Sequence, residues 1–183
     1  MEHPDGQPHG LALIAHPHPL HGGSLDNKVV YMLARAALAC GLVAVRPNFR
    51  GVGESSGEYD YGIGESDDLV AVAGHLSPRY PGLRWSLLGF SFGAYVQHRV
   101  ARRLPAERLI LVGPAVSMYA FERPAVPTEI VHGEMDELIP LSIVADYAHA
   151  HHLRLHVLAG AGHFFHGRLV ELRETVRRCL CPP

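Results

Sequence analysis

Lysine is almost missing from this chain. Lys28 is the only one among 16 basic residues, and 18 Asp and Glu set the formal net charge at -2. With the two signs so nearly balanced there is no broad basic field to collect phosphates, so nucleic acid is not expected as a partner. Cysteine is scarce too. Cys40, Cys179 and Cys181 make an odd set, two of them two residues apart near the C-terminus, so a disulfide framework is not expected and a reducing, cytoplasmic setting is. Long apolar runs are lacking: the longest charge-free apolar stretch, about Trp85 to Val96, is too short to span a bilayer. Met1–Gly6 carries neither the basic nor the apolar region of a secretory signal, and no membrane anchor is expected. Nucleotide loops are missing as well, because Gly51-Val52-Gly53-Glu54-Ser55-Ser56-Gly57 departs from the G-x-G-x-x-G spacing and no P-loop pattern occurs.

What is present suits one compact domain. Of 183 residues 48% are apolar and 19% charged, with no internal repeat and no Ser/Gly/Pro-rich linker, so residues 1–183 read as a single domain with 1–10 irregular. Short apolar runs bounded by glycine or proline recur: Leu11–Ala15, Leu42–Val45, Trp85–Gly89, Leu109–Val112, Glu129–His132 and Leu153–Leu158. All read as strands, and Leu11–Ala15 as one buried on both faces. Between them lie helical segments at Asn27–Cys40, Ile63–Leu76, Ser91–Arg103, Leu141–His151 and Phe164–Leu180. The alternation predicts a mainly parallel sheet between two helical layers, a three-layer α/β/α sandwich.

Gly89-Phe90-Ser91-Phe92-Gly93 matches G-x-S-x-G at a predicted strand-to-helix turn. A nucleophile raised on such a turn needs small neighbours two residues away, which Gly89 and Gly93 supply, and the helix beyond points its N-terminal N–H groups toward a developing oxyanion. The plainer reading makes Ser91 an ordinary helix N-cap. A serine hydroxyl needs a general base, and the base needs an orienting acid. Glu134, Asp136 and Glu137 occupy the loop after one late strand, and Gly160-Ala161-Gly162-His163 follows the last. His163 at the strand end is favoured as the base over His166, which would lie a turn into the next helix. Because the base must be neutral to accept a proton, activity should fall on acidification. His16, His18 and His21 could be imagined as zinc ligands, but Pro17 and Pro19 constrain them and no carboxylate or cysteine pair is near, so no metal is expected.

Gly89–Gly93, His132-Gly133-Glu134-Met135-Asp136, Gly162-His163 and Asn48-Phe49-Arg50-Gly51-Val52-Gly53-Glu54-Ser55 together resemble the α/β-hydrolase superfamily, over nearly the whole chain. More narrowly, the segment Ala15–Val30 with Gly89–Tyr95 looks like a group of short bacterial lidless hydrolases, similar to dienelactone hydrolases but with serine in place of their cysteine. The resemblance implies a minimal α/β-hydrolase fold without a cap domain. It implies a serine hydrolase of small ester-type substrates, with Ser91, Asp136 and His163 as triad and no cofactor. It also places the oxyanion donors at the residue after the nucleophile, Phe92, and just after the first core strand, where His18 is the residue between two prolines that has an N–H. His16, His18 and His21 are expected to pack or to line the entrance.

Asn48–Gly51 and Asp67 resemble loop-fixing parts of the superfamily, with Arg50 paired either to an acidic neighbour or to a substrate carboxylate. An acyltransferase using the same triad, and a non-catalytic ligand- or partner-binding relative of the fold, are the alternatives. Two further strands usually precede this sheet in the superfamily, so Leu42–Val45 is expected to be an edge, either covered by the N-terminal segment or used in a homo-oligomer. Only fifteen residues separate Gly113 from Glu129, too few for a helical cap. Met118, Tyr119 and Phe121 in that segment are candidates for an apolar rim or for ordinary surface packing, and Trp85, Phe92 and Tyr95 for core or pocket.

Overall fold

The computed structural model describes residues 1–181. Six strands, β1 (Gly10–Ala15), β2 (Leu42–Val45), β3 (Arg84–Phe90), β4 (Ala106–Val112), β5 (Thr128–Gly133) and β6 (Arg154–Leu158), form one sheet. Their order is β2-β1-β3-β4-β5-β6, and every pairing is parallel. Helices α1 (Lys28–Ala39), α2 (Ile63–Leu76), α3 (Phe92–Val100), α4 (Leu141–Ala150) and α5 (Leu169–Leu180) complete the expected sandwich.

The two-residue period of a strand sorts side chains between two cores. On β1, Leu11, Leu13 and Ala15 join the core beneath α2, α3 and α4, while Ala12 and Ile14 join the one beneath α1 and α5. All six β1 residues are buried, which is why the segment reads as a continuous apolar run. Helices α1 and α5 obey the longer period. In α5 the buried residues Leu172, Thr175, Val176, Cys179 and Leu180 recur at three and four, the spacing of one helical face. Asn27 caps α1, its Oδ1 accepting from the Val29 and Val30 N–H groups.

Three expectations are corrected. The helix predicted to begin at Phe164 begins at Leu169, because Phe165 (φ 53°) and Gly167 (φ 72°) hold left-handed conformations that a helix cannot include. His166 therefore sits in a turn. The amino-terminal stretch is not wholly irregular: Gly10 opens β1, and Glu2 makes an antiparallel bridge to Ala44 with both N–H···O distances 2.9 Å. That bridge, with the ion pair between Arg46 and Glu2, partly covers the β2 edge. Finally, Cys40 and Cys181 are joined in a disulfide, 141 residues apart in sequence and 5.9 Å apart at Cα. Cys40 ends α1 and Cys181 ends α5, and these helices lie side by side on one face of the sheet, so the bridge depends on layer packing rather than on sequence spacing. The argument for a reducing setting, which rested on unbridged cysteines, loses its premise. No helix among the described residues is long and apolar enough to cross a membrane.

Candidate active site

The chain runs from β1 outward to β2 and then back across to β3, so its direction reverses between β1 and β3. Loops leaving the carboxyl ends of strands on either side of such a switch diverge and leave a crevice. Ser91 stands there, directly after β3, with φ 55° and ψ -115°. A non-glycine residue in this region is strained and needs support from its surroundings. Support comes from the Ser91 N–H, which donates to the Val112 carbonyl at 2.9 Å, and from the glycines beside it. A Cβ on Gly89 would lie 2.2 Å from the Gly93 carbonyl oxygen, and one on Gly93 would lie 2.4 Å from the Ala15 carbonyl oxygen. Both positions therefore require glycine.

Ser91 occupies the N-cap position of α3, but its side chain makes no cap bond. Its Oγ lies 3.0 Å from His163 Nε2, and His163 Nδ1 lies 2.7 Å from Asp136 Oδ2. The imidazole is held on several sides: the Phe90 ring packs at 5.1 Å, Phe164 meets it edge-on, and the α-carbon of Gly113 leaves room beside Cε1.

Asp136 is selected from its two acidic neighbours by loop geometry. Its Oδ1 accepts the Leu138 and Ile139 N–H groups at 2.9 and 2.8 Å, which turns Oδ2 toward His163. Burial by itself would raise the Asp136 pKa, but the hydrogen bonds from His163 and Ile139 outweigh it and hold the carboxyl below its ordinary value. Glu134 and Glu137 face the histidine loop instead, accepting from the backbone N–H of Gly160 (2.8 Å) and of His163 (3.2 Å).

Phe92 and His18 line the same cleft as Ser91. Phe92 is the first residue of α3, so its N–H has no acceptor within the helix. The Pro17 carbonyl, in the same peptide as the His18 N–H, accepts from His16 Nδ1 at 2.7 Å, which fixes that peptide, and neither the His18 nor the Phe92 N–H has a backbone partner among the described residues.

Solved structures of similar fold bear on this arrangement. A serine hydrolase homologue from Coxiella burnetii is 43% identical, with a TM-score of 0.92 over 98% of this chain and 89% of that one. A lidless α/β serine hydrolase from Xanthomonas campestris is 35% identical, with a TM-score of 0.94 over 100% and 88% of the two chains. An uncharacterized protein of Rickettsia prowazekii is 32% identical over 181 residues, covering 91% of this chain and 76% of that protein. The chain belongs to the α/β-hydrolase superfamily. No protein-family model matches it.

The cleft of this hydrolase holds about 400 Å³ and has no cap over it. Two of the three candidate rim residues, Met118 and Tyr119, line it. Phe121 does not: it packs against Tyr95, His98 and Tyr147. Trp85 is core, Phe92 belongs to both core and cleft, and Tyr95 stacks on Tyr119 at 4.6 Å. Arg50 is engaged by an acid of the protein, in a bidentate pair with Asp68 at 2.7 and 2.9 Å. The loop-fixing carboxylate is thus Asp68 and not Asp67, which turns toward Arg103. Adjacent helical residues point about 100° apart, so these two cannot share a partner.

Two further residues support the site: Glu65, to which no motif pointed, and His16, expected either to pack or to line the entrance. Glu65 is fully buried and accepts from the Asp60 and Gly62 N–H groups at 2.9 and 2.8 Å, closing the glycine-rich loop onto α2. His16 is fully buried behind the cleft rather than at its entrance. Its Nε2 accepts the Phe49 N–H at 2.9 Å and its Nδ1–H donates to the Pro17 carbonyl at 2.7 Å, joining the end of β1 to the next loop. The signal was available: an imidazole ending an all-apolar run is buried, and a buried ring needs partners.

Burial pushes the His16 imidazole down to about 4, partly opposed by its bond to Pro17, and burial with Arg102 nearby pushes His98 down to about 4. An unfolded histidine titrates near ~6.5. Between these values the unfolded chain binds more protons, so the stability is complete above ~6.5 and drains as pH falls toward the folded value. The depressed carboxyl of Asp136 acts only lower, below the ordinary carboxylate range. Urea midpoints should therefore drop between about pH 7 and about pH 5, and His16→Gln should show a shallower drop. Superimposable midpoint curves for the two proteins would refute this.

Proposed function

We propose that this hydrolase cleaves small carboxylic-ester-type substrates, thioesters or lactones included, through an acyl-enzyme on Ser91. The reading is carried by the continuous hydrogen-bonded line from Ser91 Oγ through His163 to Asp136, 3.0 and 2.7 Å long at its two links. Ser91 Oγ attacks the acyl carbonyl while His163 Nε2 takes its proton. Asp136 holds the imidazole in the required tautomer and stabilises the cation that forms. The tetrahedral oxyanion receives the Phe92 and His18 N–H groups, a kind of donor whose loss typically costs ~10²–10³ in rate. His163 then returns the proton to the leaving oxygen or sulfur, and water repeats the sequence on the acyl-enzyme. No cofactor is called on. A fluorophosphonate should label Ser91 stoichiometrically, as read by peptide mass spectrometry. Folded protein that stays unlabelled, or is labelled elsewhere, would reject the reading and favour a binding protein.

An open cleft of about 400 Å³ with an apolar rim of Met118, Leu138 and Phe164 covers a short acyl group but cannot enclose a long one. Binding energy for the transition state should then saturate early along the chain. Across p-nitrophenyl esters, kcat/KM is expected to be highest for short acyl groups. A clear optimum at long, fatty acyl chains would overturn the inference from the missing cap.

A further inference from the structure

Far from the cleft, three side chains with metal-binding atoms converge. The pairings Glu129 with Arg154 and Val131 with His156 place Glu129 and His156 on one face of the sheet, two residues apart in register. Helix α5 lies across that face, and its last turn brings in Cys179, which is buried. His156 Nε2 is 2.6 Å from Glu129 Oε2 and 3.5 Å from Cys179 Sγ, and the three donor atoms all lie within 4.8 Å of one another.

A thiol, an imidazole and a carboxylate suggest a second nucleophilic relay, but the geometry opposes it. A relay needs the acid on one ring nitrogen and the thiol on the other, whereas here both face Nε2. Chelation needs the reverse, one donor atom from each residue turned to a common point. Zinc bonds of ~2.3 Å to sulfur and ~2.0–2.1 Å to nitrogen, at tetrahedral angles, separate the two ligands by about 3.5 Å. That matches the Cys179–His156 distance of 3.5 Å, so only the Glu129 carboxylate has to withdraw. Glu129 also lines an open depression of about 840 Å³, which offers an entry path and room for water as a fourth ligand. Arg154, 3.8 Å from Glu129 and with its side chain 74% exposed, can swing into solvent as the cation enters.

We propose that Glu129, His156 and Cys179 bind one divalent cation of the zinc class, tying the last turn of α5 to β5 and β6. A thiolate and a carboxylate together neutralise its charge. The thiol proton is released to solvent: Cys179–SH and M²⁺ give Cys179–S–M⁺ and H⁺. Soft-and-borderline donor sets of this mixture suit zinc over calcium or magnesium.

The chain has three cysteines, and with Cys40 and Cys181 bridged, Cys179 is the free thiol. A thiolate–metal signal therefore identifies the site even though 14 histidines offer other places for zinc. The oxidised, folded protein should be titrated with cobalt(II), reading the thiolate-to-cobalt charge-transfer absorption and the bound metal by equilibrium dialysis. The band is expected to saturate at one equivalent, to vanish on adding zinc, and to be lost in Cys179→Ser. His156→Gln and Glu129→Gln, whose side chains are partly exposed, should each weaken cobalt binding at least roughly tenfold while leaving the circular dichroism and ester turnover unchanged. Zinc should also raise the thermal midpoint of the wild type and not that of Cys179→Ser. Folded protein that binds cobalt without the band, or a band whose affinity is the same in His156→Gln and Glu129→Gln, would overturn the site. Neither readout depends on Ser91.

Discussion

Replacing Ser91 with alanine is expected to lower ester turnover by on the order of 10⁴- to 10⁶-fold and to abolish fluorophosphonate labelling, with the fold retained. The size of the loss follows from covalent catalysis: without Oγ no acyl-enzyme forms, and only the oxyanion donors and the cleft remain to stabilise a direct attack by water. The fold should survive because Oγ caps no helix and its partner is His163 Nε2, at 3.0 Å. Removing the hydroxyl leaves the Ser91 N–H bond to Val112 in place. The measurement is kcat/KM on a short p-nitrophenyl ester beside far-ultraviolet circular dichroism. Turnover that persists in a preparation free of wild-type enzyme would sink the mechanism.

Asp136→Asn should reduce turnover by roughly 10⁴-fold, the loss that accompanies a wrong imidazole tautomer. An asparagine oxygen can still accept from the Leu138 and Ile139 N–H groups, so the turn keeps its shape. The amide nitrogen then faces His163 Nδ1 in place of the carboxylate oxygen, and a donor there pushes the ring proton to Nε2, where it blocks proton transfer from Ser91. Glu134→Gln and Glu137→Gln should be far milder, because a glutamine oxygen still accepts from the Gly160 and His163 backbone N–H groups. Parallel kcat/KM measurements on the three variants decide the matter, and a ranking in which either glutamate variant is the most damaged would reassign the acid.

How far the residues announced this site differs from part to part. Ser91 was legible because its demands are local: a strand, a turn that tolerates only glycine at Gly89 and Gly93, and a helix all lie within a few residues of it. His163 was legible by position, at the end of the last strand behind a run of small residues. Asp136 was one of three acids in a single loop, and their different directions are set by an Asx-type turn that residue spacing does not reveal. The choice between Asp67 and Asp68 turned on the phase of α2 relative to Arg50, a one-residue difference that moves a side chain about 100° around the helix.

By itself the amino-acid order determined the six strands, the alternation with helices, the parallel three-layer fold and the chain order of Ser91, Asp136 and His163 at successive strand ends. These depend on local periodicity and on which residues tolerate a strained turn, and both are written in short stretches of chain. Tertiary structure alone decided the Cys40–Cys181 bridge, the cover of β2 by Glu2, the hydrogen bond from the Phe49 N–H to His16, and the meeting of Glu129, His156 and Cys179. Each joins segments brought together only when a helix layer packs on the sheet or a loop folds back over it. Such contacts depend on strand order, on crossover hand and on which face a helix covers, and no short-range pattern encodes them.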